Sequence, residues 1–456
     1  MMKFPTHPPK ATPPRPWTFP NTVMRQLANG LQVAVIRMPA LPIVSVRWAF
    51  RSGRLHEEPA QLGSGMLLQR MLRHGTTRMG SAELARYLDR RGARLGTQVS
   101  VDSTVVSIAT LREYLGEALQ LATDIAFRPL LPEPSLVMER LRAIQLHHHE
   151  CTQVESMVSM WLSRAMYGNH PYGNPLATRS GLETITREDL ASLHARIVDP
   201  SRGILLVTGD VDPDAVMDVV ARSLEGIEAR DTPPPTQPVG PSPIEPGVWL
   251  VPRPGAEQAV IGVGVLATPR QHPDFLPLRL VNRIFGGGAS SRLFTELRER
   301  QGLTYGVYST LDCGVWAGDL TASMTVAPEK TVRGVRALMN EFERMGTGEI
   351  SAAELQHGED YLVGSFPQRA SGLSGVSSLT MAAWLHDLSP DVWTNYQSDI
   401  ANIGLSRAME TAQRWIRPDR TAWVVAGPPE TLDAAEAELK ALQRPIHRVE
   451  MSTLLD

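Results

Sequence analysis

A short pattern that occurs twice in the chain constrains the fold more than any other feature. DPSRGILLVTG occupies residues 199–209 and RPDRTAWVVAG residues 417–427, with the proline, the arginine and the final glycine in register. Between the two copies, residues 231–247 contain seven prolines, which exclude a regular helix or a central strand. We therefore predict two homologous halves that are joined by a proline-rich linker at 231–247.

The hydrophobic patterning within each half predicts a mixed architecture. In both halves a helix-like segment ends at a glycine and is followed by a long run of alternating residues, at 94–110 and at 303–326. Alternation of this kind is typical of antiparallel strands, and the intervening segments have the apolar spacing of amphipathic helices. We predict an α+β fold with two duplicated domains, each a mostly antiparallel sheet packed with helices. The predicted boundaries are an N-terminal arm at 1–20, an N-terminal domain at 21–230 and a C-terminal domain at 248–456.

The composition excludes several classes of function. The net charge of −3 and pI of about 6.5 give no basis for electrostatic capture of nucleic acid. The two cysteines, Cys151 and Cys313, are too few for a disulfide framework and form no CxxC pair. No stretch approaches the ~20 apolar residues of a membrane span, and the proline-rich N-terminus lacks the apolar segment of a secretory signal. We expect a cytoplasmic or periplasmic location and favour the cytoplasm.

Four stretches together resemble the pitrilysin/insulinase family of zinc peptidases, in its short bacterial subfamily related to the mitochondrial processing peptidases. They are NGLQVAVIRMPALPIVSVRWAFRSG, GSGMLLQRMLRHGT, YGNHPYGNPLATRSGLETITREDLASLHARIVDPSRGILLVTGDVDP and NRIFGGGASSRLFTELRERQGLTYGVYS. The resemblance extends over nearly the whole chain beyond about residue 20. It implies a pitrilysin-like fold in each half and a zinc site on the helix that begins near residue 63.

The zinc motif of that family is degenerate in this chain. Active members have H-x-x-E-H on one helix face and a further glutamate about 75 residues later. Set over GSGMLLQRMLRHGT, the first histidine falls on Met66, the catalytic glutamate on Gln69 and the second histidine on Arg70. The distal glutamate falls on Gln145, or on Leu146 if the spacing differs by one. A thioether is a poor zinc ligand, an amide is no general base and arginine repels Zn²⁺. We therefore predict neither a metal nor a catalytic residue at this site.

Other histidines in the sequence are candidate metal ligands. LHHHE spans residues 146–150, but neighbouring helical residues point about 100° apart, so only His147 and Glu150 would share a face. A polar helix face and a loose transition-metal site are both compatible with this pattern. His74 falls on a lysine-like position of the family pattern, and His170 in NHPYG is expected to stabilise a turn.

The segment RLFTELRERQGLTYGVYS keeps the family pattern in the second half. The resemblance implies that Arg298 and Tyr305 reach across to the active site of another unit and hold the substrate backbone near the scissile bond. Arginine offers a fixed fork of donors, and a tyrosine hydroxyl can donate to a developing oxyanion. The family also places the preceding loop, Gly286, Gly287 and Gly288, near the substrate path, although a permissive turn explains these glycines equally well. Without GK[ST] the loop gives no nucleotide signature.

These patterns lead to an expected function. The chain is expected to be the non-catalytic, substrate-binding subunit of a heterodimeric zinc metallopeptidase that cleaves peptides. A homologous partner with HxxEH would supply zinc and the glutamate base. Two alternatives remain open: a structural scaffold, and a stand-alone module that binds and presents a peptide. Both the substrate-binding subunit and the stand-alone module would bind a peptide. An extended peptide can add to a sheet edge through main-chain hydrogen bonds.

Overall fold

The computed structural model describes residues 18–27, 30–174, 176–224, 226–228, 238, 240–241 and 247–449. Most of the arm predicted at 1–20 and of the linker predicted at 231–247 lies outside these residues, so those boundaries stay predictions. In the part that is described, no helix has the length and apolar character needed to cross a bilayer.

The strands of the described residues form two six-stranded sheets and one two-stranded hairpin. In the first half they are β1 Thr22–Gln26, β2 Gln32–Arg37, β3 Ile43–Phe50, β4 Gly75–Thr76, β5 Met79–Gly80, β6 Arg94–Val99, β7 Thr104–Leu111 and β8 Gly203–Gly209. In the second half they are β9 Val248–Pro252, β10 Ala259–Ala267, β11 Thr304–Cys313, β12 Gly318–Val326, β13 Ala422–Gly427 and β14 Ile446–Arg448.

Helices surround both sheets. In the first half they are α1 Ser64–Met71, α2 Ser81–Arg90, α3 Leu115–Phe127, α4 Glu133–Thr152, α5 Val154–Tyr167, α6 Arg179–Thr184, α7 Arg187–Ile197 and α8 Pro213–Ser223. In the second half they are α9 Phe275–Phe285, a π-helical segment Phe294–Arg300, α10 Thr331–Gly346, α11 Ala352–Arg369, α12 Leu373–Leu385, α13 Val392–Ala401, α14 Leu405–Trp415 and α15 Pro429–Leu439.

The two sheets have the same topology in five of their six strands. Their orders are β1-β2-β8-β3-β7-β6 and β14-β9-β13-β10-β12-β11, and the inner parallel pairs β2–β8 and β9–β13 correspond. The pairs from β8 to β6 and from β13 to β11 are all antiparallel. This confirms the predicted α+β fold with two duplicated halves. The copies differ at one edge, where β1 pairs antiparallel with β2 whereas β14 pairs parallel with β9.

The repeated sequence pattern forms the same structure in both halves. A 3₁₀ turn at Pro200–Arg202 precedes β8, and one at Pro418–Arg420 precedes β13. Both strands are buried along their whole length. The shared proline fixes φ for the turn, and the apolar run fills an inner strand of the sheet.

Each half places one helix on the sheet of the other half. Helix α5 of the first half packs on β10 and β13, whereas α12 of the second half packs on β3 and β8. A Cβ atom on Gly262 of β10 would lie 2.4 Å from Val158 and 2.8 Å from Leu162 of α5. On the other side, the buried Ser377 hydroxyl of α12 hydrogen-bonds that of Thr208 in β8, at 3.0 Å. The exchange buries the sheet faces that each half's own helices leave uncovered.

Polar contacts join the halves beside the exchanged helices. The Tyr167 hydroxyl at the end of α5 donates to Asp319 Oδ2 of β12 at 2.7 Å. The Tyr172 hydroxyl donates to Asp102 Oδ2 at 2.6 Å and accepts from the Trp316 amide at 3.2 Å. Burial raises the pKa of the Asp319 carboxyl to about 7, although the hydrogen bond from Tyr167 acts to lower it. This carboxyl therefore makes the contact between the halves sensitive to pH.

Substitution of Gly262 tests the helix exchange. Gly262→Ala is expected to lower the free energy of unfolding by about 1–3 kcal/mol, because the added methyl overpacks the contact with α5. Denaturant titration would measure this change. Gly364→Ala in α11 is the control, since a Cβ there meets nothing within 4 Å, and it should be neutral or slightly stabilising. Equal effects of the two substitutions would contradict the packing described.

Asp319→Asn tests the electrostatic contact between the halves. Because the folded pKa of Asp319 is raised above its unfolded value, the wild type loses stability as pH rises from about 4 to about 7. The variant has no carboxyl at this position, so its stability does not fall for this reason. We therefore expect its free energy of unfolding, relative to that of the wild type, to rise by about 1–3 kcal/mol between pH 4 and pH 8. Unfolding titrations across that range, with the exposed Asp218→Asn as the control, would measure the difference. A difference that does not change with pH would contradict the prediction.

Candidate functional site

Helix α1, where the resembled family has its zinc motif, is held in place from its N-terminus. Gly63 precedes it with φ of 109°, a conformation that favours glycine. The amides of Gly63 and Gly65 donate to Glu57 Oε1 at 3.2 and 2.7 Å. A carboxylate at this position satisfies free amides and complements the helix dipole. Met66 is buried in the core of the first half, with 7% of its surface exposed.

Gln69, at the position of the catalytic glutamate, makes structural hydrogen bonds. Its Oε1 accepts from the Val99 amide at 3.0 Å, and its carbonyl accepts from Thr97 Oγ1 at 2.8 Å. Both partners belong to β6, the outer strand of the sheet. The side chain thus binds helix to strand, and as an amide it cannot take a proton from water.

Arg70, at the position of the second histidine, belongs to an ionic cluster around Glu139 of α4. Glu139 accepts from Arg70 at 3.3 Å, from Arg142 at 2.6 Å, and lies 3.2 Å from His74 Nε2. Burial acts to raise the pKa of Glu139, but the hydrogen bonds from these three partners hold it below its ordinary value. The cluster places guanidinium groups where a zinc site would need lone pairs, so these residues do not fit the metal.

The two candidates for the distal glutamate position point in different directions. Gln145 is exposed, whereas Leu146 is half-buried. Leu146 follows Glu139 by seven residues on α4, which places both on one face of the helix. That face is directed towards α1, because Glu139 contacts Arg70. The structure therefore favours Leu146 as the counterpart of the distal ligand.

The remaining histidines have structural surroundings. His147 is buried with its Nε2 3.7 Å from Cys151 Sγ, while His148 and His149 are exposed. His170 Nδ1 accepts from the Tyr172 amide at 3.2 Å, which stabilises the turn as the sequence predicts. Across the described ranges, no group of three or more histidine, cysteine, aspartate and glutamate side chains is placed to hold a metal ion.

Arg298 and Tyr305 lie side by side. The Arg298 guanidinium is 5.0 Å from the Tyr305 ring and 4.5 Å from the Phe294 ring. Tyr305 is 90% exposed, and within the described residues neither side chain makes a hydrogen bond or ion pair. Arg298 belongs to the π-helical segment, a geometry that is frequent at functional sites. Their polar groups are thus available to a ligand.

The glycine loop is closely packed. A Cβ on Gly286 would lie 2.4 Å from Ser309 Oγ, and one on Gly288 would lie 1.9 Å from Arg283 Nη1. Arg283 donates to the Gly287 carbonyl at 2.7 Å. None of the three glycines has a positive φ, so close approach of neighbouring atoms is what requires them. Their role in substrate binding stays a prediction.

Rebuilding the zinc motif tests the assignment of the site. The variant Met66→His/Gln69→Glu/Arg70→His/Leu146→Glu is expected to bind one zinc ion per chain, since it restores two histidines on α1 opposite a carboxylate on α4. Calorimetry and metal content after dialysis would measure this. The matched control has Gln145→Glu instead of Leu146→Glu and should bind more weakly, because Gln145 is exposed. Equal affinity of the two variants would contradict the assigned helix face.

Two family models match the chain. Insulinase (peptidase family M16) matches residues 32–180, and the peptidase M16 inactive domain matches residues 184–360. The second match begins in α6 and ends in α11, so it spans the linker between the halves.

Several curated proteins are similar in sequence. An uncharacterized zinc protease of Mycobacterium tuberculosis is 27% identical over 77% of this chain and 79% of its own length. YmxG of Bacillus subtilis, named an uncharacterized zinc protease, is 25% identical over 74% of this chain and 81% of its own length. A protein of Helicobacter pylori named a non-peptidase homolog is 22% identical, over 78% and 82% of the two chains.

Solved structures share the fold. A peptidase M16 inactive domain from Pseudomonas fluorescens superposes with a TM-score of 0.83 at 22% identity, covering 90% of this chain and 98% of that one. A protease from Helicobacter pylori gives a TM-score of 0.83 at 20% identity, covering 90% and 100%. The two family models, which together match residues 32–180 and 184–360, show that the chain belongs to the insulinase family, peptidase family M16.

Proposed function

We propose that this chain is the non-catalytic, substrate-binding subunit of a heterodimeric zinc metallopeptidase. One contrast within the chain supports the proposal. At the zinc position, Gln69 and Arg70 are engaged in hydrogen bonds with β6 and with Glu139. At the second position, Arg298 is half-buried beside the exposed Tyr305, and neither side chain has a polar partner in the described part of the chain.

The missing chemistry has to come from another chain. Zinc and a glutamate base would be supplied by a homologous subunit with an intact HxxEH motif. A homodimer of this chain would contain two degenerate sites and no zinc ligands, so heterodimer formation is the arrangement that uses Arg298 and Tyr305. The name of the related Helicobacter pylori protein, a non-peptidase homolog, agrees with loss of activity in one member of such a pair.

Arg298 and Tyr305 would then act on the peptide bond. The guanidinium fork can donate to a substrate carbonyl or carboxylate, and its contact with the Tyr305 ring fixes its direction. The Tyr305 hydroxyl can donate to the oxygen that becomes negative as the carbonyl is attacked. Both groups would orient the scissile carbonyl towards the partner's zinc site.

The edge of the second sheet offers a way to hold the peptide. Strand β11 is the outer strand, pairs only with β12 among the described residues, and begins at Thr304, next to Tyr305. An extended peptide can add to such an edge through main-chain hydrogen bonds, which gives affinity with little sequence preference. One amide of each outer strand is already engaged, since Gln69 accepts from the Val99 amide of β6 and the Gly286 carbonyl accepts from the Ser309 amide of β11.

Peptidase assays of the two chains test this proposal. An unstructured peptide would be incubated with this chain, with the HxxEH partner and with their mixture. Activity is expected only in the mixture, and Arg298→Ala or Tyr305→Phe should each reduce kcat/KM at least tenfold, or about 1.4 kcal/mol. Arg300→Ala and Tyr308→Phe are matched controls in the same segment and strand, and they should have little effect.

Other outcomes point to other functions. Full activity of the partner alone would make this chain a structural scaffold. A mixture without activity, in which this chain still binds the peptide, would make it a module that presents a peptide. Variants of Arg298 and Tyr305 that behave as the wild type in an active mixture would overturn the role assigned to these two residues.

A further inference from the structure

A cavity in the second half is lined by four arginines. It has a volume of about 660 Å³ and lies between α9, α11 and the C-terminal part of β11. The arginines that line it are Arg270, Arg279, Arg283 and Arg369. Among the other lining residues, one acidic side chain occurs, the exposed Asp312. The cavity therefore has a strong excess of positive charge.

The cavity occupies the place in the second half that corresponds to the degenerate zinc site in the first. By order along the chain, α9, α11 and β11 are the counterparts of α1, α4 and β6. The contacts agree, since α9 packs on α11 and β11 as α1 packs on α4 and β6. Asn282 Oδ1 accepts from Ser309 Oγ of β11 at 2.6 Å, as Gln69 accepts from β6.

The side chains that α9 directs into the cavity repeat the spacing of the zinc motif. Arg279, Asn282 and Arg283 follow each other at i, i+3 and i+4, as do Met66, Gln69 and Arg70 on α1. In the first half the arginine at the last of these positions is neutralised by Glu139. In the second half Arg283, only 7% exposed, donates to the Gly287 carbonyl and to Ser290, and lies 3.6 Å from the Tyr361 ring.

The charges in the cavity are not compensated by acids. Within the described residues, none of the four arginines forms a salt bridge. Arg270 lies over the Phe275 ring at 3.7 Å and Arg279 near the Tyr396 ring at 5.8 Å. The Nε atoms of Arg279 and Arg283 are buried without a hydrogen-bond partner. Buried donors of this kind are costly unless a ligand or water accepts from them.

The arginines also repel one another across the cavity. Burial lowers the pKa of Arg270 to about 10, and the charge of Arg279 acts in the same direction. Burial and the charge of Arg279 likewise lower the pKa of Arg369. An anion between these groups would relieve the repulsion by neutralising charge inside the cavity.

We propose that this arginine pocket binds an oxyanion of the phosphate or carboxylate class. Guanidinium forks match the oxygens of both groups in two-point contacts, and the amide groups of Asn282 and Gln368 add neutral donors. The proposal does not depend on the peptidase partner, since all of the residues belong to this chain.

The oxyanion has two possible sources. It is either a free small anion or a carboxylate of a peptide that lies along β11, since Ser309 to Cys313 of that strand line the pocket. Both sources share the same chemistry at the arginines. They differ in whether an acidic peptide is bound more tightly than its neutral analogue.

Titration of the full chain tests the proposal. Calorimetry and thermal unfolding would be followed with inorganic phosphate, with a blocked pentaglutamate peptide and with a blocked pentaglutamine peptide. The wild type should bind phosphate or pentaglutamate with a rise in Tm, and should bind pentaglutamine at least tenfold more weakly than pentaglutamate if a peptide carboxylate is the ligand. Arg279→Gln and Arg369→Gln should each weaken binding about tenfold or more, as expected for loss of a charged hydrogen bond.

A stability measurement separates binding from a structural role. Without added anion, Arg279→Gln should be at least as stable as the wild type, because it removes one of the repelling charges. The control Arg333→Gln removes an exposed arginine of α10 and should keep the anion-dependent rise in Tm. This control also corrects for the general stabilisation of folded proteins by phosphate.

The outcomes are decisive in either direction. Binding of pentaglutamate but not of phosphate at equal concentration would identify a peptide carboxylate as the ligand, and the reverse would identify a free oxyanion. No binding of either probe, or equal binding by wild type and the Arg279 and Arg369 variants, would overturn the proposal.

Discussion

The exchange of α5 and α12 between the two halves is the contact on which the rest of the structure depends. Each sheet has its own helices on one face, and the opposite face is buried only because the other half contributes a helix. Strand β10 contains glycines at 262 and 264, where side chains of α5 approach the backbone. Such burial on both faces explains why the inner strands are almost uniformly apolar. The outer strands β6 and β11, together with β1 and β14, remain the edges of the two sheets.

The two corresponding pockets of the duplicated halves differ in how the positive charge of an arginine is balanced. A helix directs residues at i, i+3 and i+4 towards a second helix and an outer strand in both halves. In the first half a buried carboxylate, Glu139, neutralises the arginine that replaces a metal ligand. In the second half α11 offers Tyr361 and Arg369 instead of an acid, and the positive charge stays uncompensated. One pocket is thus closed by internal ion pairs, whereas the other retains donors for an external anion.

Part of this could be predicted from sequence, and the limits have physical causes. Duplication, the α+β class and the degenerate zinc motif follow from local patterns, because strand alternation and motif spacing depend on neighbouring residues. The helix exchange cannot be predicted from such patterns, because the apolar face of α5 has the same sequence pattern whichever sheet it covers. Glu139 was missed because its partners Arg70 and His74 lie 69 and 65 residues away in sequence. The arginine pocket was missed for the same reason, as Arg270 and Arg369 meet only through tertiary packing.

The hydrogen-bond partners of a polar side chain tell more about its function than the residue type alone. Gln69 differs from a glutamate by one atom, yet its oxygen is committed to the Val99 amide and its charge is gone. Arg298 would be an ordinary surface arginine without Tyr305 beside it, because a flexible guanidinium in water has no fixed direction. The π-helical segment and the start of β11 bring the two together, and Tyr305 remains exposed where a second chain can approach. A subunit that has lost its own metal chemistry but keeps an oriented, unpaired donor pair is therefore suited to act on a substrate held by a partner.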